Sequence, residues 1–223
     1  MYDVKGKLNQ VLQSLPEGVK LVAISKYHPE EYITAAYEEG QRVFGESHEQ
    51  ELARKVQTLP KDIEWHFIGH LQTNKVKYIA PYISMIEAVD SIKLLREIEK
   101  QAAKADRVVK VLLELHIAEE ATKYGLTLDA CRQLLEDGEW RQMKHVQICG
   151  LMMMASNVDS EDQISKEFQT ASDFFDEVKA RYFADDEAFC ERSWGMSHDY
   201  HLAVNHGSTM VRIGTTIFGP RVY

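Results

Sequence analysis

Short apolar runs alternate with amphipathic helical patterns along almost the whole chain. The first run, Leu21–Ile24, has four consecutive apolar residues, as expected for a strand that is buried on both faces. Eight candidate strands follow the same pattern: Lys20–Lys26, Arg42–Gly45, Glu64–Gly69, Ser84–Val89, Lys110–His116, Val146–Met153, Arg192–Ser197 and Met210–Gly214. The seventh is the weakest of them, because its stretch SWGM has little strand character.

Helix signals separate these candidate strands. Ile92, Leu95 and Ile98 form one apolar stripe, and Ser91 precedes them as an N-cap residue. Residues 3–15 predict an additional leading helix before the first strand. Alternation of strands and helices is typical of βα units around a parallel sheet.

Eight βα units predict an α/β fold in which one domain, residues 1–223, forms a single (β/α)8 TIM barrel. A doubly wound open sheet is the alternative. The barrel has a functional corollary. Its active groups are expected at the carboxyl ends of the strands and in the loops that follow them.

Composition narrows the class of protein. The net charge of -9 argues against a dedicated nucleic-acid binder, which normally has a basic face. The three cysteines are widely spaced and form no CxxC pair, so we interpret them as reduced thiols of a cytoplasmic protein. The start of the chain has no apolar signal core, and no apolar run is long enough to span a bilayer, so no membrane partner is expected.

Lys26 stands at the carboxyl end of the first buried run. One interpretation is a lysine whose stem lies on apolar surface while its ammonium group reaches water. The other is a lysine that forms a Schiff base, because desolvation or a cationic neighbour lowers its pKa and makes the amine nucleophilic. Arg212, on the neighbouring strand of a closed barrel, is a candidate for that neighbour.

The last candidate strand adds a second signal. Gly214 and Thr215 follow Arg212, and loops after the final strands of barrels often bind phosphate through backbone N–H groups. Ser197, after the seventh strand, adds a hydroxyl donor. The alternative for Gly214 is an ordinary turn at a strand end. A reactive lysine and a phosphate loop on one face favour pyridoxal 5′-phosphate, with Lys26 bound to its aldehyde.

Other signals are less specific. His198, His201 and His206 raise a metal hypothesis, but no HExxH motif, cysteine pair or carboxylate set completes the ligands. We therefore predict no metal site.

Two further lysines raise a separate possibility. Lys75 and Lys123 are candidates for a secondary cofactor-transfer point, and solvated surface lysines are the alternative.

Six motifs carry a resemblance that spans nearly the whole chain. They are AISKYHP (23–29), GQRVFGES (40–47), IEWHFIGHLQTNK (63–75), ICGLMMMA (148–155), SWGMSHDY (193–200) and GSTMVRIGTTIFG (207–219). As a set, and in this order, the chain resembles the pyridoxal phosphate homeostasis proteins, also called pyridoxal phosphate-binding proteins, which are related to the barrel domain of alanine racemase.

The resemblance implies a fold-type III barrel with pyridoxal phosphate on Lys26. It also implies that Arg212 lies near the pyridine nitrogen, and that Ser197, Gly214 and Thr215 surround the phosphate.

Two positions depart from the family pattern. Ser47 ends a motif in which many members have asparagine, and Trp194 stands where methionine is usual. We retain Ser47 as a candidate cofactor contact, together with Met152 of the sixth strand. The change at Trp194 alters packing beside the phosphate loop and removes no ligand.

These features predict a protein that holds the cofactor as a lysine Schiff base and takes part in intracellular pyridoxal phosphate homeostasis. An arginine at the pyridine nitrogen disfavours its protonation, which makes the ring a weaker electron sink. We therefore expect little catalytic activity. A monomer that passes the cofactor to apo-forms of pyridoxal phosphate enzymes fits this role.

Two enzyme classes are the alternatives. A pyridoxal phosphate-dependent amino-acid racemase needs a second acid/base opposite Lys26, for which His66 and Tyr200 are the candidates. A Schiff-base aldolase acting on a sugar phosphate uses the same lysine and phosphate loop without a cofactor.

Overall fold

The computed structural model describes residues 2–118 and 124–220 of the chain. Eight parallel strands close into a barrel, and the last strand pairs with the first. They are β1 Lys20–Ile24, β2 Val43–Glu46, β3 Glu64–Phe67, β4 Met85–Val89, β5 Val109–Leu115, β6 Val146–Met153, β7 Glu191–Met196 and β8 Met210–Ile213. The predicted barrel and its eight strands are therefore confirmed, with ends that differ by at most two residues.

Helices follow the strands around the outside of the barrel. In the described part of the chain they are α1 Val4–Ser14, α2 Glu30–Glu38, α3 Glu49–Thr58, α4 Val76–Ile79, α5 Ile92–Lys104, α6 Leu128–Asp137, α7 Glu161–Tyr182, α8 Tyr200–Asn205 and α9 Thr215–Phe218. The predicted cap at Ser91 is present, since its hydroxyl oxygen accepts a hydrogen bond of 3.3 Å from the backbone N–H of Leu94. None of these helices is both long and apolar enough to cross a membrane.

Helix α1 lies outside the βα repeat and confirms the predicted leading helix. It buries Val4, Leu8 and Val11, and it packs against α2 and α9. Gly219, which ends α9, has a φ of +81°, and a ring carbon of Tyr2 lies 2.8 Å from the place where a Cβ would stand. The start of the chain thus covers the segment that follows β8.

The barrel interior contains both apolar and ionisable side chains. Its apolar part is a buried cluster drawn from the strands alone: Val22, Ile24, Met85, Ala88, Leu112, Cys149, Met152 and Met210. Helices and the outer strand faces form a separate and larger core. Trp194 belongs to that outer core and is fully buried, which explains why the weakly patterned seventh strand is held in the barrel.

Gly150 of β6 packs tightly against the backbone of Glu191 in β7. It has a φ of +156°, and a Cβ built on it would lie 1.9 Å from the carbonyl oxygen of Glu191. We expect Gly150→Ala to lower the free energy of unfolding by at least about 2 kcal/mol, measured by chemical denaturation, because backbone atoms must move. Gly18→Ala is the matched control, since Gly18 also has a positive φ but no heavy atom within 4 Å of its Cβ position. Equal losses for the two variants would contradict the steric explanation.

Candidate functional site

A cavity of about 320 Å³ opens at the carboxyl ends of the strands. Its lining combines residues of β1, β7 and β8 with residues that follow β1, β3, β6, β7 and β8. The lining residues are Ile24, Lys26, His28, Ile68, Met154, Met196, Ser197, His198, Arg212, Gly214 and Thr215. Two cationic side chains and two histidines are among them, and no aspartate or glutamate is. The cavity is therefore suited to an anionic ligand that also carries apolar surface.

Lys26 and Arg212 reach this cavity from neighbouring strands. β1 pairs in parallel with β8, and Val22 lies opposite Arg212 in the register. Lys26 follows the end of β1 and is half-buried, whereas Arg212 is only 4% exposed. The predicted adjacency of the two strands, and the place of both residues in one cavity, follow from closure of the barrel.

Arg212 is held by hydrogen bonds on its guanidinium group. One terminal nitrogen donates to the carbonyl oxygen of Ser193 at 2.6 Å and to the hydroxyl oxygen of the same residue at 2.7 Å. The other donates to the carbonyl oxygen of Met153 at 2.8 Å. Because several donors of the group are fixed by the barrel wall, the orientation of the guanidinium is set by the fold.

Glu87 is the counter-ion of Arg212. Its carboxylate accepts hydrogen bonds of 2.6 Å from both His66 and Ser193, and it lies 3.9 Å from the guanidinium. Burial by itself raises the pKa of Glu87, but the bonds from His66 and Ser193 and the charge of Arg212 outweigh it, so the pKa is lowered. An ionised Glu87 thus balances the buried arginine under the cavity.

Glu114 is a second buried carboxyl group that acts on Arg212. Burial, with a smaller contribution from Asp90, raises the pKa of Glu114 to about 7, and the charge of Arg212 opposes this rise. Burial also lowers the pKa of Arg212, and the surrounding carboxylates counteract that effect. The charge of Arg212 is therefore stabilised by acidic side chains that are not among the residues lining the cavity.

The loops that follow β7 and β8 form another part of the cavity lining and are joined by a hydrogen bond. The hydroxyl oxygen of Ser197, after β7, accepts a hydrogen bond of 3.2 Å from the backbone N–H of Gly214, after β8. The carbonyl oxygen of Ile24 lies 3.1 Å from the place where a Cβ of Gly214 would stand. A side chain here would press on the strand end that carries Lys26, so glycine allows the β8 loop to approach β1 closely.

Two predicted contacts lie away from this cavity. Met152 is fully buried in the apolar cluster inside the barrel. Ser47 is half-buried and lines a separate cavity with Gly69, and its hydroxyl group lies 3.2 Å from Nδ1 of His48. Their assignment to the cofactor stays a prediction, whereas the other five candidates share one cavity.

The cavity also contains side chains that sequence reasoning did not assign to the cofactor. His28 is buried, and its ring lies tilted against that of Phe218 of α9, with ring centroids 5.4 Å apart. His198 is exposed, and its Nε2 lies 3.3 Å from a carboxylate oxygen of Asp199. The available signal for His28 was its place two residues after Lys26.

Further lysines and histidines show no comparable arrangement. Nζ of Lys75 lies 2.6 Å from Glu49, and this hydrogen bond raises the pKa of the amine, which keeps it protonated and weakly nucleophilic. Lys123 lies outside the described residues. Across residues 2–118 and 124–220, no group of three or more histidine, cysteine or acidic side chains is placed to hold a metal ion.

The donor set fits pyridoxal phosphate. The lining includes the amine of Lys26, the guanidinium group of Arg212 and the hydroxyl group of Ser197 beside the Gly214–Thr215 loop, which suit the aldehyde, the pyridine ring and the phosphate of this cofactor. Apolar side chains of Ile24, Ile68 and Met154 complete the lining against which a ring can pack.

Fold and site together define a barrel of the alanine racemase class. The family described as alanine racemase, N-terminal domain, matches residues 4–222. The structure of alanine racemase from Clostridium difficile has the same fold, with a TM-score of 0.76 and 13% identity over 98% of this chain and 56% of that one.

More similar proteins identify the family within this class. The chain is 37% identical to the pyridoxal phosphate homeostasis protein of Aquifex aeolicus, over 92% of this chain and 88% of its relative. PipY of Synechococcus elongatus, solved without pyridoxal phosphate, superimposes with a TM-score of 0.90 and 33% identity, over 97% of this chain and 100% of PipY. A second structure of PipY contains bound pyridoxal phosphate and gives a TM-score of 0.87. The chain belongs to the pyridoxal phosphate homeostasis protein family.

Proposed function

We propose that this protein binds pyridoxal 5′-phosphate as a Schiff base on Lys26 and takes part in intracellular homeostasis of the cofactor. The observation that carries the proposal is the single cavity into which Lys26, Arg212, Ser197, Gly214 and Thr215 converge. Binding of pyridoxal phosphate to PipY, a structural relative of the same fold, supports it.

Each of these residues has a distinct task. The unprotonated amine of Lys26 attacks the aldehyde carbon, and the oxygen leaves as water when the C=N bond forms. Arg212 would lie near the pyridine nitrogen and disfavour its protonation, because two adjacent positive charges are unfavourable. The hydroxyl hydrogen of Ser197 and the backbone N–H of Thr215 would bind the phosphate, while the N–H of Gly214 donates to the oxygen of Ser197 and holds the two loops together. Bound pyridoxal phosphate would supply electron-sink chemistry, which an unprotonated ring limits.

The role is that of a carrier with little catalytic activity of its own. A two-base racemase needs an acid/base opposite Lys26, and neither of the predicted candidates, His66 and Tyr200, lines the cavity, whereas His28 and His198 do. His66 instead lines a cavity with Lys20 and Glu191, at the opposite ends of the strands. The hydroxyl group of Tyr200 lies 3.0 Å from that of Ser14. We infer a cytoplasmic monomer whose partners are apo-forms of pyridoxal phosphate enzymes.

Direct transfer is tested by mixing cofactor-loaded protein with the apo-form of a pyridoxal phosphate enzyme. Recovery of that enzyme's activity is expected to be faster than spontaneous release, which is measured separately by trapping free cofactor with a carbonyl reagent. Recovery that never exceeds spontaneous release would exclude direct transfer and leave storage as the role.

Racemisation is tested by incubating the loaded protein with single enantiomers of alanine and other amino acids, followed by chiral chromatography. We expect no more turnover than free pyridoxal phosphate produces. Turnover that disappears in Lys26→Ala would replace the carrier by a racemase.

A further inference from the structure

A buried ionic network lies directly behind the strand end that carries Lys26. Lys55 of α3 is only 4% exposed, and lysine is seldom buried to this extent without partners. Its Nζ donates hydrogen bonds to the carbonyl oxygen of Ser25 at 2.9 Å, to Glu46 at 2.8 Å and to Glu51 at 2.7 Å. These three bonds use all the donors of the ammonium group.

The network contacts the backbone on both sides of Lys26. On one side, Ser25 offers its carbonyl oxygen to Lys55, and its hydroxyl group donates to Glu46 at 2.6 Å. On the other side, the backbone N–H of Tyr27 donates to Glu51 at 2.7 Å. The same carboxylate oxygen of Glu51 accepts the bond from Lys55, so both neighbours of Lys26 are tied to one ion pair.

Tyr27 has an unfavourable backbone conformation that requires stabilising contacts. Its φ of +65° lies in the left-handed region, which costs a residue with a side chain about 1–2 kcal/mol. This conformation turns the chain sharply after Lys26 and persists only where tertiary contacts hold it. The bond from Tyr27 to Glu51 is one such contact, and it comes from a different βα unit of the barrel.

Stability alone is a weak explanation for the network. Burying an ammonium and a carboxylate costs about as much desolvation energy as their attraction returns, and apolar residues of similar volume often stabilise a fold better. Burial also raises the pKa of Glu46, against the opposing effect of Lys55, which shows how costly a charge is at this place. The pair of Lys55 and Glu51 instead fixes the backbone conformation on both sides of Lys26.

We propose that Lys55 and Glu51 are positioning residues, which fix the backbone from Ser25 to Tyr27 so that the amine of Lys26 is held where it meets the cofactor aldehyde. This inference rests on the proposed function of Lys26. Misplacing a reacting group by about 1 Å can slow a reaction about 100-fold, whereas binding of the phosphate and ring depends on other residues. The network should therefore control covalent capture more than cofactor affinity.

The test is the double variant Lys55→Met/Glu51→Met, which nearly keeps side-chain volumes and removes both the donor to Ser25 and the acceptor of Tyr27. Glu46 loses its bond from Lys55 but keeps the bond from the hydroxyl group of Ser25. Covalent capture is followed by stopped-flow absorbance and by mass spectrometry after borohydride reduction. Affinity is measured separately by calorimetry with pyridoxine 5′-phosphate, which has the ring and phosphate but no aldehyde. We expect capture about 10- to 100-fold slower than in the wild type, with the affinity for pyridoxine 5′-phosphate within about twofold.

Leu52→Ala is the matched control for lost stability. Leu52 lies on the same helix and is fully buried, but it is not part of the network, so this variant loses stability without releasing Ser25 or Tyr27. Its capture rate per folded molecule should equal that of the wild type.

The outcomes separate the inference from the proposed function. A double variant that captures pyridoxal phosphate at the wild-type rate, or no more slowly than Leu52→Ala, would overturn the positioning role and leave the proposed function intact. Equal losses of capture and of pyridoxine 5′-phosphate affinity would also overturn it, since the whole site would then be disturbed. A wild-type protein that captures no cofactor on Lys26 would overturn both.

Discussion

Lys26→Ala is expected to abolish the visible absorption band that stays with the protein through gel filtration after it has been loaded with pyridoxal phosphate. Lys26 is the lysine that lines the cavity, and alanine has no amine with which to form a C=N bond. The wild type should be yellow, should bleach on borohydride reduction, and should then carry a pyridoxyl mass on the peptide that contains Lys26. The proposed ring and phosphate contacts do not involve Lys26, so the variant should still bind the cofactor without a covalent bond and release it on gel filtration.

Lys75→Ala is the control for this experiment. Lys75 lies on another loop at the same end of the barrel and is paired with Glu49, so its removal should leave the colour and the labelled peptide unchanged. A Lys26→Ala protein that keeps the band, with the label on another lysine, would contradict the assignment. A wild-type protein that stays colourless with added pyridoxal phosphate would revive the aldolase or a role without cofactor.

Glu87→Gln is expected to cause the largest loss of stability among substitutions that keep side-chain volume. The change leaves Arg212 buried without its closest carboxylate, and removal of one partner of a buried ion pair typically costs about 3–5 kcal/mol. The loss is measured as the free energy of unfolding in urea at neutral pH. Glu177→Gln is the matched control, because Glu177 pairs with Arg132 at the surface and should cost about 1 kcal/mol or less.

The pKa of Glu87 determines how the loss of stability in Glu87→Gln should change with pH. The pKa of Glu87 in the folded protein is lowered from 4.5, so its contribution is fully present above 4.5 and is lost as the pH falls through the lower folded value. The difference in stability between the wild type and Glu87→Gln should therefore shrink on acidification below 4.5. A difference that grows in acid, or a loss no larger than that of Glu177→Gln, would contradict the role of Glu87 as counter-ion.

The barrel was predictable because its signals are local. Continuous apolar runs identify strands that are buried on both faces, and caps such as Ser91 place the helices between them. The seventh strand was the exception, since its stretch around Trp194 has little strand propensity. Burial of that ring in the outer core, rather than local preference, holds the strand in place.

The site was predictable where it depends on strand ends. Lys26, Arg212 and Gly214 lie at or just after strand ends, and barrel closure is enough to bring them together. The supporting residues depend on which way a side chain points, and sequence reasoning missed them. Glu87 interrupts an apolar strand, and Lys55 lies on the same helix face as Leu52, so charges within apolar patterns were the available signal.

The contact between α1 and α9 has a practical consequence for handling the protein. Tyr2 packs on Gly219 at the end of α9, and α9 begins at Thr215, which belongs to the cofactor cavity. An affinity tag or fusion partner joined directly before Tyr2 can therefore displace the segment that we propose binds the phosphate. Purified samples should carry a removable tag with a flexible spacer, and cofactor content should be compared before and after cleavage.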